Sequence, residues 1–396
     1  MTGIARGCLL RNRDAAMHSS GRHSIAAFPE EKRRARFSLL ARAVRLALFT
    51  LMAASLPGCN SKPEPTLHWE TLPPVPDAEG FAGSFAGVVN GWLVVAGGAN
   101  ISGDKWSEPL RKTWYDSVFV LRTPGDAWIK TEFTLPRPLG YGVSVTGPRA
   151  MMCIGGSDGE QHYADCFFVR WDEVEKELVS VGQCPLPKPC ANACGAFVGD
   201  SIYVAGGIET PNATMAMKTF WKFTPGKNFR EDWDELEPWP GPERMLAVAG
   251  SLGDSFYLFG GVRLKPGADG KPVREYLRDA YRFTPEKGWK RIADMPRAAV
   301  AAPSPAITDG KRLFIVSGDD GTKVDFTPVR EHPGFPRDVL AYDPEHDAWS
   351  KAGEVPFSRA TVPTVRWLGR DVIPNGEVRP RVRTPEVWAA RMKLAK

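Results

Sequence analysis

Histidine is scarce in this chain of 396 residues: there are six, and beyond residue 59 only His68, His162, His332 and His346. None stands at a zinc-ligand spacing from Cys153, Cys166, Cys184, Cys190 or Cys194, and none fits a copper-ligand arrangement. No metal site is therefore expected. Stretches free of glycine and proline are also rare. The 39 Gly and 35 Pro, in no collagen-like period, leave few twelve-residue windows for a long helix. Positive charge is missing from the body of the chain. Residues 1–58 hold ten Lys/Arg against three Asp/Glu, whereas the remainder carries 41 basic and 43 acidic residues. That balance argues against a nucleic-acid surface, which needs clustered cations on the folded part. With 24% charged and 10% aromatic residues the chain is globular, and 13 Trp among so many turn formers indicate short strands.

The basic leader has its own logic. Lys32-Arg33-Arg34-Ala35-Arg36, with Arg42 and Arg45, precedes an apolar run from Leu46 to Leu56 that is too short for a membrane span. Leu56-Pro57-Gly58-Cys59 follows, then the polar Asn60-Ser61-Lys62-Pro63-Glu64-Pro65. This resembles a bacterial lipobox, which implies cleavage before Cys59, lipidation of Cys59, and anchoring at the cell envelope, in the periplasm or on the outer membrane. An ordinary signal peptide with an incidental cysteine is the plainer alternative. The expected organisation is a signal peptide at 1–58, a tether at 59–66 and a folded domain at 67–396. Export leads to an oxidising compartment. Five cysteines allow at most two disulfides, and Cys153 and Cys166 flank a hairpin across which they could pair. Five small buried residues is the alternative.

The folded part repeats. An apolar run ending in a glycine pair closes at Gly98, Gly156, Gly207 and Gly261, and weaker copies close at Gly318 and Gly376. A tryptophan precedes a proline by seven residues at Trp69, Trp233, Trp289 and Trp349, and by eight at Trp128. Each unit reads as four short strands: a first strand, the Gly-Gly strand, a third strand and the Trp strand. One such sheet exposes two apolar faces, so six must stack around an axis. The first Trp strand precedes any Gly-Gly strand, and the last unit has no Trp strand after it. The N-terminal strand is thus expected to complete the last blade of an all-β, six-bladed propeller. These markers resemble those of the kelch family.

In such a ring, the turn after the second strand and the approach to the first open on one face. That face is expected to present Asn100, Asp158, Glu209, Arg263, Asp319 and Glu377, together with Arg137, Lys188, Arg244, Arg297 and Arg359. Five basic residues near the mouth would suit a small anion; a structural marker of the repeat is the competing explanation. After Asn375-Gly376 the chain reads Glu377-Val378-Arg379-Pro380-Arg381-Val382-Arg383-Thr384. Glu377 and Arg383 on a proline-stiffened loop can act on one small substrate as base and carboxylate clamp, or can simply pair with each other. Arg137, Tyr141 and Asn192 are further substrate-holding candidates at the blade approaches. Tyr141 could equally pack between blades, and Asn192 could cap a turn.

The 376–384 segment resembles the Gly-Glu-x-x-Pro-Gly-x-Arg-Thr motif of bacterial N-acetylneuraminate epimerases, or sialic acid mutarotases. Gly83-Ser84-Phe85-Ala86-Gly87 and Gly140-Tyr141-Gly142-Val143-Ser144 also resemble that family. Their order implies a cyclically permuted branch, which a closed ring tolerates. The resemblance implies a general base at Glu377, a catalytic partner at Arg383, an acidic sugar as the small-molecule partner and no cofactor; the lipobox implies membrane contact only through the lipid. Arg381 stands where the family motif has glycine, so a positive φ there would be costly. A non-catalytic propeller that binds a glycan or a protein is the rival reading.

Overall fold

A computed structural model describes residues 66–226, 232–267 and 271–393. The leader, the tether and Cys59 lie outside these residues. Each repeat unit forms one four-stranded antiparallel sheet. Blade 1 comprises Phe85–Val89, Trp92–Ala96, Ser117–Leu121 and Ile129–Thr134, and blade 2 Val143–Thr146, Met151–Ile154, Cys166–Asp172 and Glu177–Val181. Blade 3 runs through Cys194–Val198, Ser201–Ala205, Phe220–Phe223 and Asp234–Glu235, and blade 4 through Val248–Leu252, Ser255–Phe259, Ala280–Thr284 and Gly288–Ile292. Blade 5 holds Ile307–Thr308, Leu313–Val316, Asp338–Asp343 and Ala348–Glu354. Blade 6 takes Val365–Trp367, Arg370–Pro374 and Val387–Lys393 from the C-terminal end and Thr66–Leu72 from the start of the described chain. Thr66–Leu72 pairs along its whole length with Val387–Lys393, so the ring closes as expected.

Burial explains the ring. The second strands are apolar on both faces; Ser201–Ala205 and Ser255–Phe259 are buried at every residue. Six core clusters each combine side chains of two neighbouring blades, the sixth joining blade 6 to blade 1 through Leu72, Trp367, Leu93 and Phe119. No blade can keep its core without both neighbours. The repeated tryptophan has a definite task here. Its indole N–H donates to a carbonyl just past the outer strand of the preceding blade: Trp128 to Pro73 (2.7 Å), Trp233 to Cys184 (2.8 Å), Trp289 to Glu237 (2.9 Å) and Trp349 to Ala293 (2.8 Å). Trp69 departs from this: its buried N–H has no partner among the described residues, and the ring instead packs edge-on against Phe357 at 5.0 Å.

The glycine pairs mark a backbone constraint. The first residue of the pair takes φ near +60° in every blade, and a Cβ at Gly97 would meet the Leu139 carbonyl oxygen at 2.3 Å. Blades 5 and 6 place Ser317 and Asn375 there, at φ +58° and +61°. The weaker copies therefore keep the bend at a cost in strain.

All five described cysteines are buried, and no disulfide joins them. In blade 2, Cys166 pairs with Ile154 while Cys153 pairs with Phe167. This one-residue offset sends the two thiols to opposite faces of the sheet, into different cores. The hairpin pairing considered above is excluded by that register. Burial pushes the Cys190 and Cys194 thiols up to about 12, which keeps them protonated.

Candidate active site

The site begins with the backbone. Just before its first strand, each blade places one residue at φ between +52° and +64°: Gly83, Tyr141, Asn192, Leu246, Ala301 and Thr361. Their amides form a closed circuit. Tyr141 N–H donates to the Gly83 carbonyl (2.7 Å), Asn192 to Tyr141, Leu246 to Asn192 and Ala301 to Leu246 (2.8 Å each), Thr361 to Ala301 (2.6 Å), and Gly83 to Thr361 (2.8 Å). One hydrogen bond per blade thus fixes a rigid collar around the axis. Five of its six members are not glycine, so left-handed strain is concentrated there, as at many functional sites.

The collar divides the axial space. Below it is a narrow cavity of about 80 Å³, and above it an open cavity of about 550 Å³. The side chains of Tyr141, Asn192, Leu246, Ala301 and Thr361 line both. The upper walls come from the segments after the glycine pairs, including the hairpins Ala99–Ser102/Arg111–Trp114, Val262–Pro266/Pro272–Tyr276 and Glu377–Arg379/Val382–Arg383. Tyr141 and Asn192 therefore line the cavity, and the Tyr141 ring also packs against Gly83 of the neighbouring blade. Lys112 reaches down from the first hairpin, its ammonium 4.9 Å from the Tyr141 ring and 3.4 Å from the phenol oxygen.

Glu377 and Arg383 face each other across the last hairpin. Arg383 Nη2 lies 3.0 Å from Glu377 Oε1, and Thr361 Oγ1 donates to Glu377 Oε2 at 3.0 Å. The collar thus orients the carboxylate directly. The Arg383 side chain is 2% exposed, yet its Nε and Nη1 have no hydrogen-bond partner among the described residues. Both nitrogens are closed to solvent, so this buried guanidinium is an incomplete interaction that an anion completes with charge-assisted bonds only once the groups covering it move. Arg381 keeps φ +70°, so the loop retains the bend of the glycine motif despite carrying a side chain. That side chain is tied outward to Glu108 and to the Lys105 carbonyl, bracing the mouth.

Arg137 is placed elsewhere, and the cationic-mouth reading is corrected with it. Arg137 does not line the cavity; it pairs with Asp165 at 3.1 Å and stacks on Tyr163 at 4.3 Å. Arg244, Arg297 and Arg359 likewise turn to acids at the start of their own third strands: Asp279 (2.7 Å), Asp338 (2.7 Å) and Glu386 (2.9 Å). Blade 3 has Thr219 before that strand, and its Lys188 stays exposed. These cations fasten blades internally. Of the six residues expected after the glycine pairs, only Asp319 and Glu377 line the cavity; Asn100, Asp158, Glu209 and Arg263 stand one residue beyond the equivalent bridge position.

Lys112, His162, Arg274 and Thr361 also line the cavity and had not been singled out as site residues. A signal existed for the collar. In five of six blades its residue lies fifteen positions ahead of the second glycine of the pair.

Residues 60–178 match the family described as N-acetylneuraminate epimerase. Its sequence relatives include N-acetylneuraminate epimerases. The epimerase of Yersinia pestis (strain Pestoides F) is 29% identical over 234 residues, covering 52% of this chain and 57% of that protein. The Haemophilus influenzae (strain PittEE) epimerase is 26% identical over 230 residues, covering 51% and 57%. The chain thus spans little more than half the length of the curated epimerases it matches. The family match includes Gly83–Gly87 and Tyr141 and ends before the hairpin bearing Glu377. The solved structure of YjhT aligns with TM-score 0.57 at 15% identity, covering 79% of this chain and 95% of that one, which supports the propeller fold.

Proposed function

We propose that this chain is a mutarotase that interconverts the anomers of N-acetylneuraminate or a related acidic sugar. The observation that carries the reading is Arg383 beside the cavity: a buried guanidinium bonded to Glu377 through one nitrogen, whose other two nitrogens are covered and have no partner among the described residues. The names of the sequence relatives supply the substrate class. A carboxylate on Arg383 brings the adjacent anomeric centre beside Glu377. The anomeric hydroxyl proton passes to Glu377 as the bond from the anomeric carbon to the ring oxygen breaks. The ring oxygen takes a proton from water in the open cavity, leaving an open-chain keto acid. Rotation about the bond beside the carbonyl presents its other face, and the same steps in reverse close the ring. The lone pairs of Glu377 are aimed by Thr361 and Arg383 before substrate arrives, which lowers reorganisation during the proton transfer.

Replacement of Glu377 by Gln tests the base. Anomer exchange followed by proton NMR should fall at least ~100-fold, within the range for loss of a general base, in a variant shown to be folded at the assay temperature; its thermal midpoint should drop, because the buried Arg383 loses its carboxylate partner. Exchange at the parent rate would remove Glu377 from the mechanism. The proposal also holds the protein at the bacterial cell envelope, lipidated on Cys59 and derived from a permuted member of the family. Metabolic labelling with an alkynyl fatty acid should mark the parent and not Cys59→Ser; equal labelling of both would refute the anchor.

A further inference from the structure

The position directly after each glycine pair is equivalent in all blades: Ala99, Ser157, Ile208, Val262, Asp319 and Glu377. Each bridges to the residue near the collar, as Asp319 does with Val300 and Glu377 with Ala360. Only two of the six are acids, and they occupy neighbouring blades. The path between them is short. Val300 adjoins Ala301, Ala360 adjoins Thr361, and the Thr361 amide donates to the Ala301 carbonyl at 2.6 Å. Both carboxylates therefore flank the same stretch of cavity floor, and both line the cavity.

Their partners differ. Glu377 is matched by Arg383, whereas Asp319 Oδ2 accepts from the Tyr276 phenol at 2.8 Å and Oδ1 from the Gly321 amide at 3.0 Å. Tyr276 is seated against Gly321, where a Cβ would lie 2.7 Å from the ring. Burial and the adjoining Asp319 push the phenol up to about 12, so it remains a donor. Two donors fix the Asp319 carboxylate, and a carboxylate offers about four acceptor positions. Asp319 has no ion-pair partner among the described residues, the nearby Arg274 being turned to the Tyr276 phenol, so its remaining lone pairs suit hydroxyl groups as O–H acceptors.

We propose that Asp319 is the specificity-determining residue that accepts hydrogen bonds from hydroxyls of a sugar whose carboxylate rests on Arg383. This rests on the acidic-sugar reading above and adds a second anchor point, one blade from the first. Hydrogen bonds to a charged group are strong enough that losing one weakens binding roughly 10- to 100-fold.

The test uses the methyl α-glycoside of N-acetylneuraminate, which cannot open its ring, and its 4-, 7-, 8- and 9-deoxy analogues, with binding read by calorimetry. The parent should lose about 10- to 100-fold in affinity with at least one deoxy analogue. Asp319→Asn should bind the full glycoside correspondingly weaker, and that analogue no more weakly still; Tyr276→Phe should show a smaller loss. Equal affinities of parent and Asp319→Asn, or deoxy losses of the same size in both, would overturn the assignment. A parent that binds the glycoside without accelerating anomer exchange removes the mutarotase reading and leaves Asp319 in place. A parent that does not bind it overturns both.

Discussion

Replacing Arg383 by Lys separates geometry from charge. The guanidinium gives Nη2 to Glu377 at 3.0 Å, and its covered, unpartnered Nε and Nη1 are the donors that the proposal assigns to the ligand. A lysine ammonium is a single point donor and cannot span both partners. If it stays with Glu377, the substrate carboxylate loses two charge-assisted bonds but keeps a nearby positive charge. Each such bond contributes about 1.5–3 kcal/mol, so a net loss of about 2–4 kcal/mol is expected after the retained attraction. At 1.36 kcal/mol per decade this is a fall of roughly 30- to 1000-fold in kcat/KM. The fall should lie mainly in KM, since the carboxylate is bound alike in ground and transition states. The assay is the anomer exchange rate as a function of sugar concentration. The methyl ester of the sugar should lose a similar factor with the parent and little more with the variant. A variant within threefold of the parent would refute the reasoning. So would a loss confined to kcat, which would place Arg383 at the reacting centre rather than on the carboxylate.

Other consequences concern the scaffold. Arg244→Met should destabilise the fold by about 3–5 kcal/mol, because it removes the cationic partner of Asp279, leaving that carboxylate only the Tyr281 hydroxyl, and takes the donor from the Gly260 carbonyl at a fully buried site. Arg137→Met, at the same repeat position but 41% exposed, should stay within about 1 kcal/mol by chemical denaturation. Asp371 is buried, and desolvation raises it to about 6 despite Arg366. The folded chain then prefers the proton, so this contribution to stability is full below about pH 4 and is lost as pH rises through 6. Asp371→Asn should therefore gain on the parent by up to about 3 kcal/mol between pH 4 and 7, and a gap that does not change with pH would refute this. Deleting residues 66–72 removes one strand of blade 6 and the side chains of Leu67, Trp69 and Leu72 from the two flanking cores. The shortened chain should lose its cooperative unfolding transition by calorimetry.

The architecture was readable because the ring imposes itself on every repeat. Gly97 and its equivalents occupy a bend where a Cβ meets backbone, and Trp128 and its equivalents donate to the preceding blade, so both residue types recur at the period. Closure by Thr66–Leu72 was readable from a Trp strand out of sequence. Glu377 and Arg383 were legible through a local motif, since both belong to one hairpin. The collar was not read, although its offset was present, because Gly83, Tyr141, Asn192, Leu246, Ala301 and Thr361 share a φ value and no chemistry. Arg137 misled for a related reason. A repeated cation looks like a ligand site in one dimension, while its acid, Asp165, is distant in sequence and adjacent in space. Positions such as Asp319 needed the strand bridges to show which of two adjacent residues faces the axis.

The most direct test of the account is saturation transfer between the C3 protons of the two anomers of N-acetylneuraminate, at equilibrium, with increasing amounts of the parent protein. The account predicts an exchange rate that rises in proportion to protein and saturates with sugar. An exchange rate equal to that of buffer, with the protein folded and the sugar shown to bind, would contradict it and leave a propeller that holds an acidic sugar without converting it.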